Sequence, residues 1–379
     1  MSINKIDPIT LTQELVRCAS VTPADAGAQA ILRKTLTPLG FTCHDLPFGN
    51  IQNLFARRGT HGPHLCFCGH TDVVPSGDPH LWRFDPFSAT IDQGLIYGRG
   101  TADMKANIAC FVSAISLFLS ENPAFTGSLS LLITGDEEAE AIHGTIKVLQ
   151  QLEEQKQLAD VWLVGEPSNP EALGDEIKIG RRGSLSGTLI VEGVQGHVAY
   201  PDRADNPLPH LITLLSALDQ MVFDQGSDHF PATNLEIVSI DVGNPADNVI
   251  PARGSARFNV RFNDQWTAAT LTDRIRACLD NTGRAYSLTT SSNAESFLTK
   301  PGPFTDLVAA AVEKVTGRKP RLSTSGGTSD ARFVSRYGPV VECGLINSTI
   351  HKVDEYVAID DLHRLTTIYQ QILKLYFQG

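Results

Sequence analysis

Three short apolar runs, 64–68, 128–134 and 160–164, each give way to a turn rich in glycine or acid. Between the first two, Ile108, Phe111, Val112, Ile115, Phe118 and Leu119 recur at spacings of three and four, the period of an amphipathic helix. Strands alternating with helices predict an α/β domain, a mixed, mostly parallel sheet with flanking helices. From about Ser184 the rhythm changes. Strands at Ser184–Val191, Leu235–Val242, Ser255–Phe262 and Ala285–Thr290 and helices at Pro207–Met221 and Ala268–Asn281 follow in the order β-α-β-β-α-β. That is the ferredoxin-like α+β order. A helix near Pro303–Thr316 and the segment to Lys374 then return to the first domain. The expected organisation is a discontinuous α/β domain, 1–182 and 296–374, interrupted by an insert over 183–295.

Length and composition narrow the class. A chain of 379 residues, 42% hydrophobic and 19% charged, has material for two or three folded domains and is not disordered as a whole. No uninterrupted apolar run approaches the roughly 18–20 residues that span a bilayer. The longest, Ile108–Leu119, carries Ser113 and Ser116. A net charge of −11 with no basic stripe argues against nucleic acid as a partner. The cysteines number seven and form no CxxC pair, which predicts free thiols in a reducing compartment. The stretch Met1–Pro8 lacks a basic segment followed by an apolar one, so no secretory signal is expected and the cytoplasm is the default. The last five residues, Leu375–Gly379, resemble a protease-cleavage remnant and are set aside from the reading.

The chemistry lies where acids and histidines fall relative to the strands. The first run passes into Gly69-His70-Thr71-Asp72, the second into Gly135-Asp136-Glu137-Glu138, and the third into Gly165-Glu166-Pro167. Asp103 stands at the start of the following helix, in Gly98-Arg-Gly-Thr-Ala-Asp103-Met-Lys105. Ligands of open α/β sheets gather at the carboxyl ends of strands, so four segments deliver acid or imidazole to one edge. Singly, each has a plainer explanation: a solvated loop histidine, a helix N-cap at Asp103, an exposed acidic turn at 136–138. Capping alone does not require three successive strands to finish in acid. Cys66, Cys68, His70 and Asp72 share one parity, which raises a thiolate–imidazole metal site. The cysteines sit inside an apolar strand, where free Cys packs as a small hydrophobe, and the carboxylate-rich reading is preferred.

These residues carry a resemblance. Gly69-His70-Thr71-Asp72-Val-Val-Pro75, Tyr97-Gly-Arg-Gly-Thr-Ala-Asp103-Met-Lys105 and Gly135-Asp-Glu137-Glu138 resemble the motifs of the dinuclear zinc amidohydrolases, the family of aminoacylases, acetylornithine deacetylases and glutamate-releasing carboxypeptidases. A second set is similar to the branch that acts on N-succinyl-L,L-2,6-diaminopimelate. It comprises Gly180-Arg-Arg-Gly-Ser184, Gly196-His197-Val-Ala-Tyr200-Pro201, Asn248-Val-Ile-Pro251, Gly326-Gly-Thr-Ser-Asp330 and Asn347-Ser-Thr-Ile-His351-Lys-Val-Asp354. The likeness runs from the N-terminus to about Leu373. Ser325 departs from it, standing where a third glycine is expected, which bears on substrate fit and not on metal ions.

The resemblance implies a role for each residue. Two zinc ions per subunit, with cobalt able to substitute, would be held by His70 and Glu166 and by Glu138 and His351, with Asp103 bridging. Asp72 would orient His70. Glu137 would be the general base that deprotonates water and passes the proton to the leaving amine. His197 would bind the oxyanion in the active site of the partner subunit of a homodimer, making the insert a dimerisation domain. Arg181, Arg182 and Arg261 would bind substrate carboxylates, since guanidinium forks suit planar anions; surface ion pairs are their plainer reading. Tyr200, Asn248, Gly327, Thr328 and Asn347 would complete the substrate site. The implied reaction converts the N-succinyl compound and water to succinate and L,L-2,6-diaminopimelate, towards lysine. The alternatives are a deacylase of another N-acyl amino acid, such as acetylornithine, and a metal-dependent binding protein without catalysis.

Overall fold

The structure, a computed structural model, describes residues 4–378. Met1–Ile3, at the head of the N-terminal stretch, and Gly379, at the end of the tail set aside above, lie outside them. The chain divides into two compact units: Met1–Ile179, Thr299–Ser323 and Ser329–Gly379 in the first, Gly180–Leu298 and Thr324–Thr328 in the second. The expected insert began and ended a few residues inside these limits and lacked the loop 324–328. That loop joins the second unit because Arg181 Nη1 donates to the carbonyls of Gly327 (3.0 Å) and Ser325 (3.4 Å). Thr324 Oγ1 also donates to the carbonyl of His229 at 2.6 Å.

The first unit is built on an eight-stranded mixed sheet, in the spatial order Thr42–Asp45, Leu54–Arg58, Ser128–Thr134, His64–His70, Val161–Val164, Val340–Glu342, Glu176–Lys178, Arg321–Ser323. Its centre is parallel. His64–His70 pairs in parallel with Ser128–Thr134 on one side and with Val161–Val164 on the other, and Val340–Glu342 adds a fourth parallel strand. Every residue of His64–His70 and Ser128–Thr134 is buried, as expected of parallel strands covered on both faces.

The helix Ala106–Glu121 differs from the amphipathic one expected. Nearly all of it is buried, because it packs on the sheet and against the C-terminal helix Ile359–Gln378. Phe67 of the sheet stacks on Phe111 at 4.2 Å, and Tyr369 meets Phe111 edge-on at 5.4 Å. The serines that interrupt the apolar run have internal partners: Ser113 Oγ donates to the Ile6 carbonyl and Ser116 Oγ accepts from the Ile6 amide. By length and composition, Thr101–Glu121 exceeds the run seen in the sequence and meets the requirement for crossing a membrane, yet nearly all of it is buried inside the protein. The tail is also part of the fold. The last helix continues to Gln378, and Phe377 packs edge-on against Phe125 at 4.7 Å.

The second unit has a four-stranded antiparallel sheet in the order Asn234–Asp241, Arg253–Phe262, Gly183–Glu192, Ser287–Ala294. The helices Pro207–Asp219 and Ala268–Asp280 pack on it over a core that includes Leu185, Leu189, Leu214, Phe258 and Ile275. This is the ferredoxin-like arrangement read from the sequence.

Candidate metal centre

The parallel register decides where the acids go. His70 pairs with Thr134, so the chain leaving one strand as His70-Thr71-Asp72 lies beside the chain leaving the other as Gly135-Asp136-Glu137-Glu138. The Thr71 amide donates to the Thr134 carbonyl at 2.9 Å and ties the two exits together. On the other side, the Gly165 amide donates to the Cys68 carbonyl at 3.0 Å and sets Glu166 in place. Any side chain at 165 would come 2.4 Å from Phe67 Cζ, so only glycine allows this approach. Asp103 lies one turn earlier than a helix start, in Thr101–Lys105, with extended φ of −124° and ψ of 95°. His351 comes from the loop after Val340–Glu342, at a positive φ of 59°.

These residues converge. His70 Nε2 is 3.2 Å from Asp103 Oδ1, 3.5 Å from Glu166 Oε1 and 3.9 Å from Glu137 Oε2. His351 Nε2 is 3.4 Å from Asp103 Oδ2 and 3.0 Å from Glu138 Oε1. Asp103 thus faces one histidine with each of its oxygens. Asp72 meets His70 Nδ1 more closely through its backbone carbonyl (2.9 Å) than through its carboxylate (3.6 Å). That carboxylate instead accepts from the amides of Glu137 (3.3 Å) and Glu138 (3.1 Å), fixing the turn that carries both glutamates.

Protonation shows what the cluster lacks. Burial and the charge of Asp103 push the Glu166 carboxyl up to about 7. Burial, followed by the neighbouring carboxylates of Glu166, Asp330 and Glu138, holds Glu137 well above its usual range against the opposing pull of His70. Hydrogen bonds to Asp103 and Glu138 push His351 up to about 10. Asp103 moves the other way: burial alone would raise it, but the two histidines hold it low. Raised carboxyls at Glu137 and Glu166 and a raised imidazole at His351 suit a donor set that accepts positive charge. Donor atoms of His70, Glu137 and Glu166, and of His70, Asp103 and Glu138, lie within 4.8 Å of one another. Nitrogen and carboxylate oxygen donors in overlapping groups fit a divalent cation such as zinc. Cys66 and Cys68 are buried within the strand and belong to neither group.

Sequence reasoning missed Glu355 and Arg99. The Glu355 side chain is 1% exposed and accepts from Arg99 Nη1 at 2.7 Å and from the Ala102 and Asp103 amides at 2.8 and 3.2 Å. An Asp-Glu pair after a histidine looks like solvated loop; only the buried partners distinguish it.

The remaining candidates are placed differently. Asn347 lies in the first unit, its amide bonded to the Asn169 carbonyl at 2.8 Å. Arg181, Arg182, His197, Tyr200, Asn248, Arg261, Gly327 and Thr328 belong to the second. Arg181 is buried under the loop containing Gly327. Arg182 donates to Asn234 Oδ1 at 2.8 Å, and burial and the charge of nearby Arg261 depress its guanidinium. His197 sits exposed in a two-residue strand opposite Val249, its Nδ1 accepting from the Ala199 amide at 3.1 Å. Tyr200 and Asn248 are exposed as well.

Comparison with known proteins agrees with this arrangement. The chain is 54% identical over 378 residues to the succinyl-diaminopimelate desuccinylase of Rhodospirillum centenum, covering 98% of each protein. It is 54% identical over 380 residues to that of Methylocella silvestris, again covering 98% of each. An M20 family metallo-carboxypeptidase from Sulfolobus solfataricus shares the fold with a TM-score of 0.81 at 18% identity, over 98% of this chain and all of the other. The sequence profile of peptidase family M20/M25/M40 matches residues 66–375. The chain belongs to that family.

Proposed function

We propose that the protein hydrolyses the amide of N-succinyl-L,L-2,6-diaminopimelate to succinate and L,L-2,6-diaminopimelate, a step towards lysine. It would work in the cytoplasm as a homodimer. The observation that carries the reading is Asp103, which offers one oxygen to each of two histidine-bearing half-sites. Full-length relatives that bear the desuccinylase name support the choice of substrate.

His70 and Glu166 would hold one zinc ion and Glu138 and His351 a second, with Asp103 shared and cobalt able to replace either. When bound, such ions polarise the scissile carbonyl and acidify water. Glu137, beside Glu138, would be kept ionised by the charge of the bound ions and so be able to take a proton from the attacking water. The water oxygen adds to the amide carbon, the C–N bond breaks, and Glu137 returns the proton to the leaving nitrogen. His197 of the partner subunit donates a hydrogen bond to the oxyanion formed in between. The first unit is the catalytic domain and the second the dimerisation domain. Arg181, Arg182 and Arg261 bind the substrate carboxylates, and Tyr200, Asn248, Gly327, Thr328 and Asn347 supply further hydrogen bonds.

The test assays purified protein on the succinyl compound and on acetylornithine, with metal analysis alongside. The succinyl compound should be turned over far better, and Arg261→Ala should raise KM and lower kcat. Comparable kcat/KM for both substrates would sink the substrate assignment and leave the hydrolase class standing.

A further inference from the structure

We propose that Glu355 is a positioning residue that, with Arg99, sets the span between Asp103 and His351 and thereby governs the cation on the His351 side. This rests on the two-cation reading above. Glu355 follows His351 by four residues, so one short segment supplies both a candidate ligand and the clamp on another. Its carboxylate is filled by donors: Oε1 takes the amides of Ala102 and Asp103, and Oε2 takes the Gly100 amide (3.0 Å) and Arg99 Nη1. Its backbone carbonyl accepts from the Gly98 amide at 2.9 Å, which completes the attachment to 98–103. A buried carboxylate is costly unless each oxygen is satisfied, and here all of its partners belong to the segment that presents Asp103.

Arg99 extends the clamp. It is 3% exposed, lies over the Trp82 ring at 5.3 Å, and donates to the carbonyls of Lys352 (3.2 Å) and Pro75 (3.4 Å) as well as to Glu355. Lys352 adjoins His351, and Pro75 lies on the segment that carries His70 and Asp72. The buried pair therefore joins the segments that carry His70, Asp103 and His351.

The dependence is unequal. His70 and Glu166 leave strands fixed by ladder bonds. His351 leaves a loop, and its side chain is 48% exposed. Loosening the clamp moves Asp103 and His351 apart, whereas His70 and Glu166 stay where their strands hold them, so the His70 side is disturbed less.

Metal-free protein titrated with Zn²⁺ against a chromophoric chelator tests this. Wild type should take up two equivalents. Glu355→Gln should weaken the first only slightly and the second about 10- to 100-fold, the usual cost of losing a group that orients a ligand. The absorption spectrum of the two-Co²⁺ form should change with it, which a general loss of stability would not cause. Wild-type affinity for both equivalents with an unaltered spectrum, or equal weakening of the two, overturns the proposal. If Glu355→Gln does not fold, Arg99→Lys, which keeps the charge and loses the fork, serves the same titration. It should show a smaller loss, mainly in the second equivalent, and a wild-type second equivalent overturns the proposal. Fewer than two equivalents on wild type overturns the two-cation reading itself.

Discussion

The acid–imidazole cluster of the first unit and the candidate substrate residues of the second are held in opposite ways. His70, Asp103, Glu137, Glu138 and Glu166 hang from strand exits or a clamped turn, largely buried and within reach of one another. His197, Tyr200 and Asn248 stand exposed on a short two-stranded antiparallel ladder and its flanks. The first set is organised before any ligand arrives. The second is exposed and has few side-chain bonds that fix it. Arg181 is the exception, a second-unit residue already buried and wrapped by a loop.

The contrast is tested most severely at Glu137. Glu137→Gln keeps shape and removes the base, so kcat should fall at least the ~10²–10⁴-fold of ordinary acid–base catalysis while two metal ions remain bound. Wild-type turnover, or loss of a metal ion, would assign Glu137 another task. On the exposed side, His197→Ala should cut kcat by about 10²–10³-fold with metal content unchanged. Mixing His197→Ala with Glu137→Gln under conditions of subunit exchange should restore up to half of the native activity per dimer. Confirmed exchange with no recovery would place His197 outside any shared site.

Smaller effects separate the intermediate case. Gly326 has a φ of +99°, and a side chain there would come 2.5 Å from Arg181 Nη1. Gly326→Ala should raise KM about tenfold, on the order of 1–2 kcal/mol, with a lesser change in kcat. An unchanged KM would show that the loop is not needed to aim this arginine. A last effect, on stability and not on turnover, lies at the opposite end of the strand from His70. Burial, and then the charge of Arg57, push His64 down to about 4. The unfolded chain, at about 6.5, binds a proton that the folded chain refuses, so stability falls as pH drops through 6.5 towards 4, by at most about 3 kcal/mol. Denaturant melts of His64→Gln across that range should show a shallower decline; an identical slope would assign the acid sensitivity elsewhere.

What could be read from the residues follows from how local the signal was. Short apolar runs ending in acid marked His70, Glu137, Glu138 and Glu166, because a strand and its exit are contiguous in sequence. The β-α-β-β-α-β order marked the insert for the same reason. The helix at 106–121 was legible, but its burial on every side was not, because Ser113 and Ser116 are satisfied by Ile6, far away in the chain. Glu355 was missed on similar grounds, since its partners lie 252 to 256 positions earlier. His351 and His197 came only through motif resemblance, as neither ends a strong strand pattern. The loop 324–328 was assigned by continuity, whereas its bonds are to Arg181 and His229.

The parallel centre of the sheet also imposes an order of assembly. Val340–Glu342 pairs with Val161–Val164 although the chain between them leaves at Ile179, runs through the second unit and returns at Thr299. Glu138 and His351, 213 positions apart, meet only when that last parallel strand has docked. Closing such long loops is slow compared with forming local contacts. Full cation capture is therefore a late event, and a chain still emerging from the ribosome can present His70, Asp103, Glu138 and Glu166 but not the complete donor set.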